Sequence, residues 1–217
     1  MGQIMTRQPF SELVRRIIIL LALAPLPANA GICNATTPQK HDLQFLAGYS
    51  PASSTLIGTT TDRKFVMAGL TYSYTCWTAG PLDLSYTVGV LPLTFLIEPT
   101  QPNFRAFNPP VIPAHVVYGA GVLPVGFTMN IGRHTLQPFF ATHGGIIVST
   151  EPIPVNASDA TGLNFLFDFG PGLRIKVGQH QAINAGYKFL HISNAYTTNF
   201  NPGVDNNVFF LGFSLLH

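Results

Sequence analysis

Hydrophobic and polar residues alternate along much of this chain with a period of two, which is the side-chain period of a β-strand. Between residues 161 and 176 the odd positions are apolar with one exception, whereas the even positions carry every charged residue of the segment. The segments 182–196 and 206–216 alternate similarly over most of their length, although Val208 and Phe210 interrupt the second. Such segments predict eight strands, at 43–50, 63–76, 82–97, 115–131, 135–149, 161–176, 182–196 and 206–216.

The connections between the predicted strands are alternately long and short. The short ones are 77–81, 132–134 and 177–181, and the long ones, rich in Pro, Thr, Ser and Asn, are 51–62, 98–114, 150–160 and 197–205. Short turns that alternate with long loops are typical of outer-membrane barrels, whose turns face the periplasm. A soluble β-sandwich also alternates, but its apolar face points inward.

Composition favours the barrel over the sandwich. Charged residues make up 9% of the chain and hydrophobic residues 47%, with a mean hydropathy of +0.29. Soluble domains carry about 25% charged residues, which keep their surfaces dispersed. We therefore predict an all-β protein, an eight-stranded antiparallel transmembrane β-barrel with apolar side chains towards lipid and small polar ones inside. The net charge of +2 and the lack of a basic, aromatic-rich cluster argue against a nucleic-acid partner.

The N-terminus has the features of a secretory signal peptide. Arginines precede the apolar run 17–24, and the sequence Ala-Asn-Ala at 28–30 matches a cleavage site. A membrane anchor is the alternative, but that run is far shorter than the roughly 20 apolar residues that span a bilayer. The predicted domains are a signal peptide at 1–30 and the barrel at 31–217.

Two cysteines, Cys33 and Cys76, follow the predicted cleavage site. In an exported protein they either form one disulfide or remain two free thiols, and the sequence leaves both open. The seven histidines lack metal-ligand spacing, so we expect no metal and no other cofactor.

Candidate chemistry lies near the C-terminus. His191 and Ser193 are two apart, so on a strand they share one face about 6–7 Å apart along the chain. Asp205 follows Pro202-Gly203, a turn that can fold it back beside the pair. A histidine, a serine and an acid are the parts of an activated-serine hydrolase. Their odd positions predict that they face lipid, where polar groups are costly without a use. A His and a Ser near a strand end are nevertheless often plain interface residues.

The pattern His-x-Ser-Asn-Ala at 191–195, followed by Asn-Pro-Gly-x-acid at 201–205, resembles that of the PagL-type lipid A 3-O-deacylases of the Gram-negative outer membrane. The resemblance implies that Ser193 is the nucleophile, His191 its base and Asp205 the acid that orients the histidine. The best-characterised members carry Glu where this chain has Asp205, which is one methylene shorter. By the same resemblance, the residues around the oxyanion and the substrate are Asn194, Asn201, Gly203 and Phe169.

The implied function is hydrolysis of an acyl ester of lipid A, the membrane anchor of lipopolysaccharide, at the outer leaflet of the cell outer membrane. The acyl chain would lie along an apolar surface that includes Phe169 and Phe189. Two alternatives stay open: a non-enzymatic outer-membrane barrel that keeps the deacylase fold, and a hydrolase of other lipid esters. The sequence does not decide whether the protein is a homodimer.

Overall fold

The computed structural model describes residues 40–105 and 109–217. None of these residues forms a helix that is long and apolar enough to cross a membrane. Their regular structure consists of eight long strands and three two-residue strands: β1 (His41–Ser50), β2 (Ser53–Ser54), β3 (Lys64–Ala79), β4 (Leu82–Glu98), β5 (Gln101–Pro102), β6 (Val111–Ile112), β7 (His115–Ile131), β8 (Leu136–Ile153), β9 (Thr161–Lys176), β10 (Gln181–Ser193) and β11 (Val204–Leu216).

The eight long strands close into an antiparallel barrel. They pair in the order β1-β3-β4-β7-β8-β9-β10-β11, and β11 pairs back with β1. Closure leaves no open sheet edge, so each strand satisfies its backbone hydrogen bonds with its two neighbours, as a bilayer requires. The predicted eight-stranded transmembrane barrel is confirmed, and most strand bounds agree within a few residues.

The outer surface of the barrel is apolar. The odd positions of β9 and β11 point outward, and their aromatic and aliphatic side chains are exposed, as the alternation predicts. Examples are Leu163, Phe165, Phe167, Leu173, Phe209 and Leu211. This surface is suited to lipid rather than water.

The sequence predicts small polar residues throughout the barrel interior, but part of the interior is apolar. The half nearer the long connections holds an apolar core, to which Val208 belongs, and Phe210 points inward against Phe139. The two exceptions in the alternation of 206–216 are therefore interior side chains. Register shifts in β3, β4 and β7 also change which positions face inward, because a β-bulge adds one residue to one strand.

Three of the four charged residues on the even positions of β9 and β10, namely Asp168, Arg174 and Lys188, pair inside the barrel. Asp168 accepts hydrogen bonds from His143 Nδ1 at 2.8 Å and from Lys188 Nζ at 3.0 Å, and all three side chains are buried. Arg174 pairs with Asp42 at the end nearer the short turns. Pairing offsets the cost of removing these charges from water.

The four long connections lie at one end of the barrel and contact one another there. Arg63, before β3, pairs with Glu98 at the end of β4 at 2.8 Å and donates to Asn156 at 3.1 Å. Asn194 donates to the carbonyl of Asp159 at 3.2 Å. We call this end the loop end. It carries the described residues of 98–114 and also 197–205, which confirms that these two connections share a side.

Two predictions fall on residues 1–39. The predicted signal peptide and Cys33 lie outside the described residues. Cleavage after residue 30, and a bond between Cys33 and Cys76, therefore stay predictions.

Candidate active site

The pairing register of β10 and β11, rather than the loop that connects them, brings Asp205 to His191. His191 on β10 lies directly opposite Asp205 on β11. His191 Nδ1 donates to Asp205 Oδ1 at 2.6 Å, because a carboxylate can only accept. β11 begins at Val204, two residues before the predicted start, so Asp205 belongs to a strand and not to a loop. One methylene less than Glu does not prevent contact with the histidine.

Ser193 is the last residue of β10 and lies on the same outer face as His191. The strand ends three residues before the predicted bound because Ala195 and Tyr196 adopt positive φ angles of 50° and 58°. Ser193 is 7% exposed. Within residues 40–105 and 109–217, no hydrogen bond joins its Oγ to His191. Since Nδ1 is bound to Asp205, Nε2 is the ring nitrogen that remains for the serine.

The carboxylate of Asp205 has two further donors, from the first long connection. The backbone N–H groups of Ile57 and Gly58 donate to its Oδ2 at 2.7 Å and 2.9 Å. β2 also pairs with β11, with Ser54 opposite Asp205. Asp205 is on the outward side of β11 yet is 0% exposed, because this connection covers it.

Gly58 and Gly203 allow the first long connection to pack closely against His191 and Asp205. A Cβ on Gly203, whose φ is +51°, would lie 2.8 Å from His191 Cε1. A Cβ on Gly58 would lie 2.7 Å from the carbonyl oxygen of Gly203 and 3.1 Å from Asp205 Oδ1. The structure thus places Gly203, a predicted substrate-site residue, against the histidine ring, where a larger residue would force a shift.

The two predicted oxyanion asparagines hold the connection between β10 and β11. Asn194 Nδ2 donates to Thr198 Oγ1 at 2.7 Å and to the carbonyl of Phe200 at 2.9 Å. Asn201 Oδ1 accepts from the backbone N–H of Asn194 at 3.1 Å. Asn194 is also 2% exposed. The amide of Asn194 is therefore engaged in this structure, and a role for either residue at an oxyanion stays a prediction.

An aromatic patch lies beside the histidine and serine on the outer face. Phe169 and Phe189 are cross-strand partners, with ring centroids 5.4 Å apart. The rings of Phe167 and Phe140 are tilted against that of Phe169, with centroid distances of 5.6 Å and 6.4 Å. Phe169 was predicted near the site, and the structure brings it there: its partner Phe189 is two residues before His191. Phe189 is only 3% exposed, because the neighbouring side chains cover it, so the prediction that it lies along the acyl chain is wrong. The exposed apolar surface beside His191 and Ser193 consists of Phe140 and Phe167, with Phe169 partly exposed.

Sequence reasoning missed Ile57 and Gly58. Both act through backbone N–H groups, which every residue except proline possesses, so no side-chain motif marks them. The one available signal was the glycine itself, in a connection otherwise rich in Ser and Thr.

Comparisons with known proteins agree with the barrel fold. The family model described as lipid A 3-O-deacylase (PagL) matches residues 66–214. The crystal structure of the outer membrane enzyme PagL is similar with a TM-score of 0.52 and 16% identity, over 80% of this chain and 98% of that chain.

Two other outer-membrane barrels are similar at lower scores. Neisserial surface protein A has a TM-score of 0.48 and 10% identity, over 82% of this chain and 99% of its own. OprG from Pseudomonas aeruginosa has a TM-score of 0.46 and 11% identity, over 82% and 95%. No curated protein sequence matches. Because the family model covers more than half of the chain, including His191, Ser193 and Asp205, this chain belongs to the lipid A 3-O-deacylase (PagL) family.

Proposed function

We propose that the protein is an outer-membrane serine esterase that removes an acyl chain from lipid A. The observation that carries this proposal is the 2.6 Å hydrogen bond between His191 Nδ1 and the fully buried Asp205. It leaves Nε2 available on the face that also bears Ser193. A paired His and Asp beside a serine is the arrangement that activates a hydroxyl for acyl transfer.

The reaction proceeds in two halves. His191 Nε2 takes the Ser193 proton while Oγ forms a bond to the ester carbonyl carbon. The tetrahedral intermediate collapses when the C–O bond to the sugar breaks, and His191 returns the proton to the departing alkoxide. Water then attacks the acyl-enzyme with His191 again as base, which releases the fatty acid and restores Ser193. Asp205 holds the imidazole in the tautomer that accepts at Nε2.

The developing oxyanion needs hydrogen-bond donors. Removing one such donor elsewhere slows acyl transfer by about 10² to 10³-fold. We propose that Asn194, Asn201 or backbone N–H groups of the β10–β11 connection supply them. Asn194 Nδ2 would first have to leave the carbonyl of Phe200 or the hydroxyl of Thr198.

The position of the site is suited to a lipid ester. We propose that residues 1–30 direct export, that the loop end faces outside and that the short turns face the periplasm. The serine then lies at the outer-leaflet interface, with its oxygen near the ester and with Phe167 and Phe169 along the acyl chain. An ester in that leaflet reaches Ser193 without leaving the membrane.

Mass spectrometry of lipid A tests the proposal. Lipid A from cells that express the protein should lose the mass of one acyl chain, and lipid A from cells with folded Ser193→Ala protein should not. The purified protein should release fatty acid from lipid A faster than from phospholipid. Intact lipid A in expressing cells would support a non-enzymatic barrel, and faster release from phospholipid would reassign the substrate.

A further inference from the structure

We propose that the first long connection, residues 51–63, is a positioning element of the esterase site that acts through Asp205. This inference rests on the proposed function, because it assigns a role in that reaction. It concerns the backbone N–H groups of Ile57 and Gly58, which donate to Asp205 and not to the serine. We call the segment 57–59 the clamp.

The clamp is hydrogen-bonded to Asp205 and to Pro202, three residues before it. The N–H groups of Ile57 and Gly58 donate to Asp205 Oδ2 at 2.7 Å and 2.9 Å. Thr59 donates to the carbonyl of Pro202 through its backbone N–H at 2.9 Å and through its hydroxyl at 2.6 Å. The segment therefore lies along 202–205 with four hydrogen bonds, and its position is fixed relative to the acid.

These contacts divide the carboxylate between two partners. Oδ2 is occupied by the clamp, so Oδ1 is the oxygen presented to His191, at 2.6 Å. A carboxylate that is 0% exposed has no water to satisfy an oxygen left without donors. Without the clamp, Asp205 would be free to rotate or to hydrate, and the imidazole would lose a fixed orientation. The clamp thus positions the histidine indirectly, through the acid.

The same contacts explain why a short acid is suited to this site. The Asp205 side chain already reaches both His191 and the clamp, and a Cβ on Gly58 would lie only 3.1 Å from its Oδ1. An added methylene has no open space, because the side chain is completely covered. Asp205→Glu should therefore lower the rate of acyl release rather than raise it.

Gly58→Ala tests the clamp directly. The added Cβ would meet the backbone of Gly203 at 2.7 Å, so the clamp must move away from the acid. We expect kcat for acyl release from purified lipid A in detergent micelles to fall by about 10²-fold, the effect of a misplacement of about 1 Å in a catalytic array. KM should change little, because the hydrogen bonds of the clamp go to Asp205 and Pro202 and not to Phe167 or Phe169.

The matched control is Gly178→Ala, in the short turn between β9 and β10 at the opposite end of the barrel, since a Cβ there meets its first atom only at 3.9 Å, an ordinary contact distance. Its kcat and KM should equal those of the wild type. Heat-modifiable gel migration shows whether each barrel is folded. If Gly58→Ala does not fold, Thr59→Val replaces it: this change removes the hydroxyl bond to Pro202 and keeps the side-chain shape, and kcat should fall several-fold.

A double-mutant comparison separates positioning from general destabilisation. If the clamp acts through Asp205, Gly58→Ala should cost almost nothing further in a protein that already carries Asp205→Ala, whereas independent effects would add. Wild-type kcat in folded Gly58→Ala or Thr59→Val, a rise in KM alone, or full additivity with Asp205→Ala would each overturn the clamp. The proposed function fails separately, if folded Ser193→Ala still releases acyl chains at the wild-type rate.

Discussion

Replacing Asp205 by asparagine tests whether the carboxylate sets the proton position on His191. In the structure Oδ1 accepts one hydrogen bond from the imidazole, and Oδ2 accepts two from the clamp. An amide NH₂ cannot accept any of them. The two clamp donors are backbone N–H groups, so the oxygen of the asparagine side chain should face them. Its NH₂ group should then point towards His191 Nδ1. The imidazole must then carry its proton on Nε2, where it cannot take the proton of Ser193.

The expected loss is large although the shape hardly changes. An imidazole held in the wrong tautomer by the same substitution in a serine protease lowers kcat by about 10⁴-fold. That factor corresponds to about 5.5 kcal/mol of barrier. Asp205→Ala removes the orienting group but places no NH₂ against the ring, so the imidazole can still adopt the useful tautomer. We therefore expect the conservative Asp205→Asn change to be at least as damaging as Asp205→Ala.

The assay is fatty-acid release from purified lipid A in detergent micelles, with heat-modifiable migration to show that each barrel is folded. Asparagine fills the same covered space as aspartate, so the fold should persist. If the folded Asp205→Asn protein were faster than Asp205→Ala, the carboxylate would not control the tautomer. The orienting role of Asp205 would then have to be abandoned.

Three further predictions follow from the site and the topology. Ser193→Ala and His191→Ala should each lower kcat in the same assay by about 10⁴-fold or more. The double variant should be little worse than either single variant, because a nucleophile and its base act as a unit. Additive losses in the double variant would contradict this. Gly203→Ala should lower kcat because its Cβ would meet His191 at 2.8 Å, whereas Gly80→Ala, at an equally left-handed φ with open space around it, should keep wild-type kinetics. Finally, a cysteine placed in the 98–114 connection should react with a reagent that cannot cross the outer membrane, and one in the short turns of the opposite end should not; labelling of a short turn in intact cells would reverse the orientation.

The sequence by itself determined the strands, the closed barrel and two members of the candidate site. Alternation with period two is a local property, so it is visible in β9 without knowledge of any neighbour. His191 and Ser193 are likewise two residues apart on one strand, and their shared face follows from strand geometry alone. The alternation could not show where bulges change the inward positions of β3, β4 and β7, because a bulge is defined by the partner strand.

Only the tertiary structure decided how Asp205 is held. Its place opposite His191 depends on the register between β10 and β11, which the sequence leaves free by a residue or two. Its other partners are 148 and 147 positions away in the chain, at Ile57 and Gly58. They donate through backbone N–H groups, which carry no side-chain identity, so no pattern of residues could have named them. The closed barrel brings the first connection over the last strand, and that contact completes the environment of the acid.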